Sequence, residues 1–355
     1  MTWLHRLLAL TLSATPVSAE FDPQAWVDQT LAETGAPGVA AGVVVDGQIS
    51  IAAGGLRSNR DDVPVTRDDL WHIGSITKSM TGTLIARLAE AGMIRWDDTV
   101  GAVLGEVIED LHPGYADLTY ADLLTHRSGI RPNITIRQTR AMLGSITSRD
   151  MMVDRIAYAQ LVLTKAPGER GKFTYSNAAY VVAGAMLQQS TGQTWEALMQ
   201  DHVFDPLGLT SAGFGAPGTT DAIDQPRGHS LFLRRPMTPG PTADNVPALG
   251  PAGTVHISVA DMLTYLRAHA LRDPRFLTED SWARLHSAGQ DADYAMGWVA
   301  ASPDWRGHDG SNTMWYATAA FVPGGDKAVF MAANFAGLSR VAAAMQRGAQ
   351  ALLED

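Results

Sequence analysis

The chain has no cysteine among its 355 residues. That absence excludes a disulfide framework, a thiol nucleophile, a Cys-liganded zinc site and a Cys-bound iron–sulfur cluster. Any chemistry must use oxygen or nitrogen groups. Positive charge is scarce too: 27 Lys plus Arg face 37 Asp plus Glu, the formal charge is −10, and only four of the basic residues are lysines. Such a balance offers no basic field to a phosphate backbone or an anionic membrane, so neither nucleic acid nor a membrane surface is an expected partner. Long apolar runs are also missing. The stretch Leu7–Leu12, LLALTL, is about half of the ~20 residues a bilayer span needs. What is present, 46% apolar and 18% charged residues, is the composition of a globular chain long enough for a sizeable core.

The first residues differ from the rest. His5 and Arg6 precede the apolar run, Pro16 breaks the chain beyond it, and Val17-Ser18-Ala19 offers the small residues that signal peptidase reads. Residues 1–19 are therefore expected to be a cleaved export signal and 20–355 the mature domain. A disulfide-free exported chain suggests a bacterial periplasm, with no stable membrane anchor after cleavage.

Beyond the signal, Pro23 to Thr34 has helical spacing, with Trp26, Val27 and Leu31 on one side and Gly35 as its stop. Val39–Val45 and Gln48–Ala52 flank Asp46-Gly47, a hairpin signature. The other end mirrors it: Met314–Val322, a turn at Pro323-Gly324-Gly325-Asp326, then Ala328–Asn334 and a closing helix over Ser339–Leu353. Strands at both ends with helical sequence between them predict one sheet completed by both termini and a mostly helical lobe over roughly 80–250. The Pro- and Gly-rich stretch 213–253 resists regular assignment, and long ordered loops of this kind often line sites.

Three segments can carry chemistry. In WHIGSITKSMTGTLIARLAEAGMI, residues 71–94, the apolar spacing predicts a helix with Ser75 at its start and Lys78 one turn on. A serine hydroxyl is a poor nucleophile until a base takes its proton, and lysine is a base only when neutral. Lowering its pKa from about 10.4 to near 7 costs roughly 4 to 5 kcal/mol, which burial or a neighbouring cation must supply. The second segment is Tyr175-Ser176-Asn177, where a loop enters a helix. A phenol there can relay a proton to a leaving group, and the Asn177 amide can hold a substrate carbonyl or the Lys78 ammonium. The third is His308-Asp309-Gly310-Ser311, just before a strand expected to start near Met314. Gly310 would let a substrate approach the backbone, and a strand edge would pair with it. A Ser-x-x-Lys and a Tyr-x-Asn together arise by chance about 0.03 times in such a chain. Their coincidence outweighs the reading in which Ser75 only caps a helix.

The order Ser75-x-x-Lys78, Tyr175-x-Asn177, His308-x-Gly310 resembles the three motifs of the serine β-lactamase and penicillin-binding-protein superfamily, in its class C branch. The phrases LLTHRSGI at 123–130, PGERGKFTYSNAAY at 167–180, DPLGLTSAGFG at 205–215 and PAGTVHISVADMLTYL at 251–266 are similar to that branch as well. The resemblance covers roughly residues 24–350. It implies an α/β (α+β) fold with a mainly antiparallel sheet, flanking helices and a helical lobe, the site lying between. It also implies an acyl-enzyme on Ser75, Lys78 as base, and Tyr175 passing the proton to the leaving group. The backbone N–H groups of Ser75 and Ser311 would form the oxyanion hole.

The third motif departs from the superfamily's common Lys-Thr-Gly, whose lysine helps anchor a substrate carboxylate. A mostly neutral histidine beside Asp309 should bind an anionic β-lactam poorly. The expected activity is therefore cleavage of an ester or amide, of the esterase or D-amino-acid peptidase/carboxypeptidase type. β-Lactamase or penicillin-binding activity and a non-catalytic scaffold or sensor are the alternatives. If His308 holds Tyr175 or the substrate, the rate should respond to an apparent pKa between about 5.5 and 7.5. A Ser75–His308–Asp309 triad is disfavoured, because neighbours along a strand point to opposite faces. Ten scattered histidines form no metal-ligand spacing, and no metal or cofactor is required. His72, His126 and Arg127 are read as packing or loop-fixing groups, and Lys172 as a solvated loop residue.

Overall fold

The computed structural model describes residues 21–145, 150–232, 235–237, 240–288 and 293–354; the expected export signal lies outside them. Helix α1, Pro23–Thr34, begins where the Asp22 side chain accepts the N–H of Gln24, and it ends at left-handed Gly35. Strands β1, Gly38–Val45, and β2, Gln48–Gly55, pair antiparallel around Asp46 and Gly47. Both turn residues have positive φ, the type I′ geometry that matches strand twist.

The termini meet in one sheet. Strands β6, Arg306–Ser311, β7, Tyr316–Phe321, and β8, Lys327–Ala333, complete a five-stranded antiparallel sheet in the order β2-β1-β8-β7-β6. The two-residue period of β1 sends Val39, Ala41 and Val43 to one face and Ala40 and Val44 to the other. The first face packs on α1 and on the closing helix α5, Leu338–Glu354, through Trp26, Val27, Val341 and Met345. Helix α4, Val259–Leu271, lies on the second face, and that core continues into the helical lobe.

Two helices of that lobe are almost wholly buried: α2, Thr77–Glu90, and α3, Asn177–Thr191. A small sheet of β3, Leu70–His72, β4, Gly213–Phe214, and β5, Val255–Ser258, stands beside the start of α2. It gives part of the stretch 213–253 a regular structure that its sequence did not announce.

One sequence expectation needs correcting. His308-Asp309-Gly310-Ser311 does not merely precede a strand; it is the body of β6, and the next strand starts at Tyr316 rather than Met314. Glycine and aspartate have low strand propensity. Here the backbone of Ile73 packs so closely on Gly310 that a Cβ there would lie 1.9 Å from its carbonyl oxygen. Tertiary contact fixes the strand where local preference would not.

Candidate active site

Ser75 lies in a single 3₁₀ turn, Gly74–Ile76, that runs directly into α2. One helical turn later, Lys78 extends back so that its Nζ is 3.0 Å from Ser75 Oγ. Its second contact is the carbonyl of Ala252, at 2.7 Å. The lysine is fully buried, and that burial holds its pKa well below the usual value. Among the described residues no carboxylate pairs with it. Of the two influences that could lower this pKa, burial and a neighbouring cation, the fold supplies burial.

Tyr175 closes the cluster from the loop before α3. Burial pushes its phenol up to about 12, an effect that the nearby Ser75 side chain partly offsets. The Lys78 Nζ stands 4.9 Å above the Tyr175 ring. His126 fixes that loop from both sides: its carbonyl accepts the N–H of Thr174 at 2.8 Å, and its Nδ1 accepts that of Ser176 at 3.1 Å. The His126 ring also packs 4.3 Å from the Tyr175 ring. The loop-fixing role read for His126 is therefore present in the geometry. Lys172 is exposed and 3.4 Å from Glu169, a solvated loop residue.

The role of Asn177 is narrower than expected. Its amide donates to Asn133 Oδ1 at 2.9 Å, while the Lys78 ammonium goes to Ala252. The option of an Asn177–Lys78 bond is thus replaced by a backbone carbonyl. Ser176, not Asn177, caps α3 by accepting the N–H of Ala179.

Strand β6 forms the opposite wall. A Cβ on Gly74, whose φ is +50°, would lie 2.3 Å from the Ser311 nitrogen, and one on Gly310 would lie 2.9 Å from the Ser75 nitrogen. Only glycine at both positions lets these two backbone nitrogens stand side by side. The Ser311 hydroxyl is engaged in its own turn, donating to Trp315 O at 2.6 Å.

His308 is buried and bonded on both ring nitrogens. Nδ1 donates to the Asp309 carbonyl at 2.5 Å, leaving Nε2 to accept from the Tyr294 hydroxyl at 3.0 Å. Burial, aided by Lys78, lowers its pKa to about 4. The expected titration between pH 5.5 and 7.5 is therefore corrected: this imidazole is neutral throughout that window. Asp309 points to the other face, accepting from Thr318 Oγ1 at 2.8 Å and Gln346 Nε2 at 2.9 Å. No triad through Asp309 is possible.

The displaced histidine has a measurable consequence. Unfolding frees His308 to bind a proton near pH 6.5, whereas the folded protein resists until about pH 4. Stability should thus be complete above pH 6.5 and fall by about 3 kcal/mol from this residue alone as the pH drops through that window. Denaturant melts of wild type and His308→Asn at pH 7 and pH 4.5 isolate this loss from that of the other buried histidines, and an imidazole NMR signal of His308 that titrates between pH 5.5 and 7.5 would contradict it.

Sequence reasoning missed Tyr294, the Ala252 carbonyl and Asn133. Tyr294 is buried, edge-on to Tyr175 with ring centroids 6.2 Å apart. Its loop reaches the site because Gly297 lies against α2, where a Cβ would be 2.4 Å from the Ser79 Cα. None of these partners has a local signal; each is brought in by distant chain.

A hydroxyl, a buried amine whose pKa is lowered and a phenol lie together, with two backbone nitrogens converging beside them. Such a grouping has the parts that serine acyl transfer requires. The chain belongs to the Beta-lactamase family, which its residues 24–353 match. It is 30% identical over 254 residues to Penicillin-binding protein 4 of Amycolatopsis lactamdurans, covering 70% of this chain and 64% of that protein. It is also 30% identical over 217 residues to Esterase EstB of Burkholderia gladioli, covering 58% and 54% respectively. The matches thus span less than two thirds of either relative's length. The class C beta lactamase from Rhodobacter sphaeroides shares the fold, with a TM-score of 0.71 at 23% identity over 93% of this chain and 99% of that one.

Proposed function

We propose that the protein is a serine hydrolase that cleaves a neutral ester or amide through an acyl-enzyme on Ser75. The observation that carries this reading is the buried Lys78 amine, 3.0 Å from Ser75 Oγ with no carboxylate among the described residues to hold its proton. Lys78 takes the hydroxyl proton as Ser75 Oγ attacks the substrate carbonyl. The backbone N–H groups of Ser75 and Ser311 receive the developing oxyanion, a contribution of about 3 kcal/mol per donor in comparable sites. Tyr175, held protonated by its raised pKa, relays a proton to the leaving oxygen or nitrogen. Water then attacks the acyl-enzyme and releases the acid, regenerating Ser75.

The wall at β6 supports a neutral substrate. Where the superfamily's lysine would present a cation, the chain has His308, neutral and occupied by Tyr294. Short esters and D-amino-acid amides or peptides fit this wall better than carboxylate-bearing β-lactams. A relative named as an esterase supports that range, whereas one named as a penicillin-binding protein supports the alternative of a β-lactam ligand. An exported, periplasmic setting for the mature chain remains part of the proposal.

A phenyl ester and its m-carboxyphenyl counterpart with the same acyl group test the preference. Desolvating the carboxylate beside a neutral imidazole, with no cation to compensate, costs about 2 kcal/mol, which corresponds to roughly a 30-fold higher kcat/KM for the neutral ester. Faster cleavage of the carboxylated ester would overturn it.

A further inference from the structure

The residues that hold the site in register come from a loop distant from it in sequence. Asp244 is adjacent to Asn245, and the Asp244 side chain is 8% exposed. Three separate segments of the site converge on these two residues.

The first connection runs to the Ser75 turn. His72 Nδ1 accepts the N–H of Gly74 at 3.1 Å, so its proton sits on Nε2, which faces the Asp244 carboxylate at 3.0 and 3.2 Å. The second runs to the end of β6. Asn312 Nδ2 donates to Asp244 Oδ1 at 2.8 Å, and Asn312 Oδ1 accepts the N–H groups of Met314 and Trp315. The carboxylate thus links Gly74, next to Ser75, with Asn312, next to Ser311. The third runs to the base: Asn245 Nδ2 donates to the Gly253 carbonyl at 2.8 Å, and Gly253 is the neighbour of Ala252, whose carbonyl holds Lys78. His72 and Asn312 are both buried, so water competes weakly for these bonds.

We propose that Asp244 and Asn245 are positioning residues that set both oxyanion donors and the Lys78 amine in one common frame. The proposal rests on the acyl-enzyme reading of Ser75. Neither residue touches the reacting atoms. Each acts by fixing backbone that does, and an ångström of play in an oxyanion donor is felt only when charge develops on the substrate oxygen.

Asp244→Asn separates this role from bulk. The amide oxygen can still accept from Asn312 and from the Asn245 N–H, which Asp244 Oδ1 now accepts at 2.6 Å. Its NH2 then faces the His72 Nε2–H, donor against donor. Relief requires moving the imidazole proton to Nδ1, which breaks the bond to Gly74. His72→Asn offers a repair, because its Oδ1 sits where Nδ1 was and accepts from Gly74 without needing Asp244.

The experiment measures ester hydrolysis per active site titrated with a fluorophosphonate, alongside thermal melts. Asp244→Asn and Asn245→Ala should each lower kcat about 10- to 100-fold with KM within about 3-fold. Adding His72→Asn to Asp244→Asn should recover at least about 3-fold. If Asp244→Asn does not fold, Asn245→Ala and Asn312→Ala carry the same readout. Unchanged kcat per titrated site, or a loss confined to KM or to the number of titratable sites, overturns the hub. A wild type that takes no label, or a Ser75→Ala variant that does, overturns the acyl-enzyme reading instead.

Discussion

Ser75→Ala is expected to lower ester turnover by about 10⁴-fold or more and to abolish labelling by a fluorophosphonate. No other described hydroxyl combines contact with a buried lysine amine and a nearby pair of backbone nitrogens, so no second described serine can inherit the role. The folded state should hardly notice. Lys78 keeps its bond to Ala252, and the lost hydrogen bond is worth about 1 kcal/mol. Intact-mass spectrometry of both proteins after labelling, together with thermal melts, is the check. A labelled alanine variant, or turnover within tenfold of wild type, would move the nucleophile elsewhere.

Lys78→Met is expected to separate activity from stability in opposite directions. Removing the base should lower kcat/KM by about 10² to 10⁴-fold. The wild-type profile should rise with pH as the amine loses its proton, at an apparent pKa that belongs to the Ser75–Lys78–Tyr175 cluster as a whole, and that limb should vanish in the variant. Stability should be maintained or improved. A fully buried amine disfavours the fold at every pH where the unfolded chain is protonated and the folded chain is not, and methionine fills a similar volume with no such cost. The orphaned Ala252 carbonyl offsets part of the gain, by about 1 kcal/mol. A sharp loss of melting temperature would mean that the lysine is structural.

The fold was legible where local physics is sufficient. Asp46-Gly47 announced its hairpin because both residues tolerate positive φ, and Gly35 marked the end of α1 for the same reason. The Ser75–Lys78 pair was legible because a helical turn brings residues three apart onto one face. Strand β6 was not, since its Gly, His and Asp residues have poor strand preference and only packing against Ile73 fixes them. His308 was found as a residue but misread as a titrating group. Its low pKa comes chiefly from burial, and its Nε2 is held by Tyr294, fourteen residues earlier; neither is visible in a tripeptide.

Composition and spacing by themselves thus pointed to a hydroxyl and an amine as candidate chemical groups, and to a sheet built from strands near both chain ends. Those facts depend on residue identity and short-range periodicity, which the chain carries locally. The depressed pKa of Lys78, the raised pKa of Tyr175, the silence of His308 and the convergence on Asp244 and Asn245 were decided by the tertiary structure. Desolvation and hydrogen bonds between segments up to 174 residues apart set them, and these exist only once distant segments have packed.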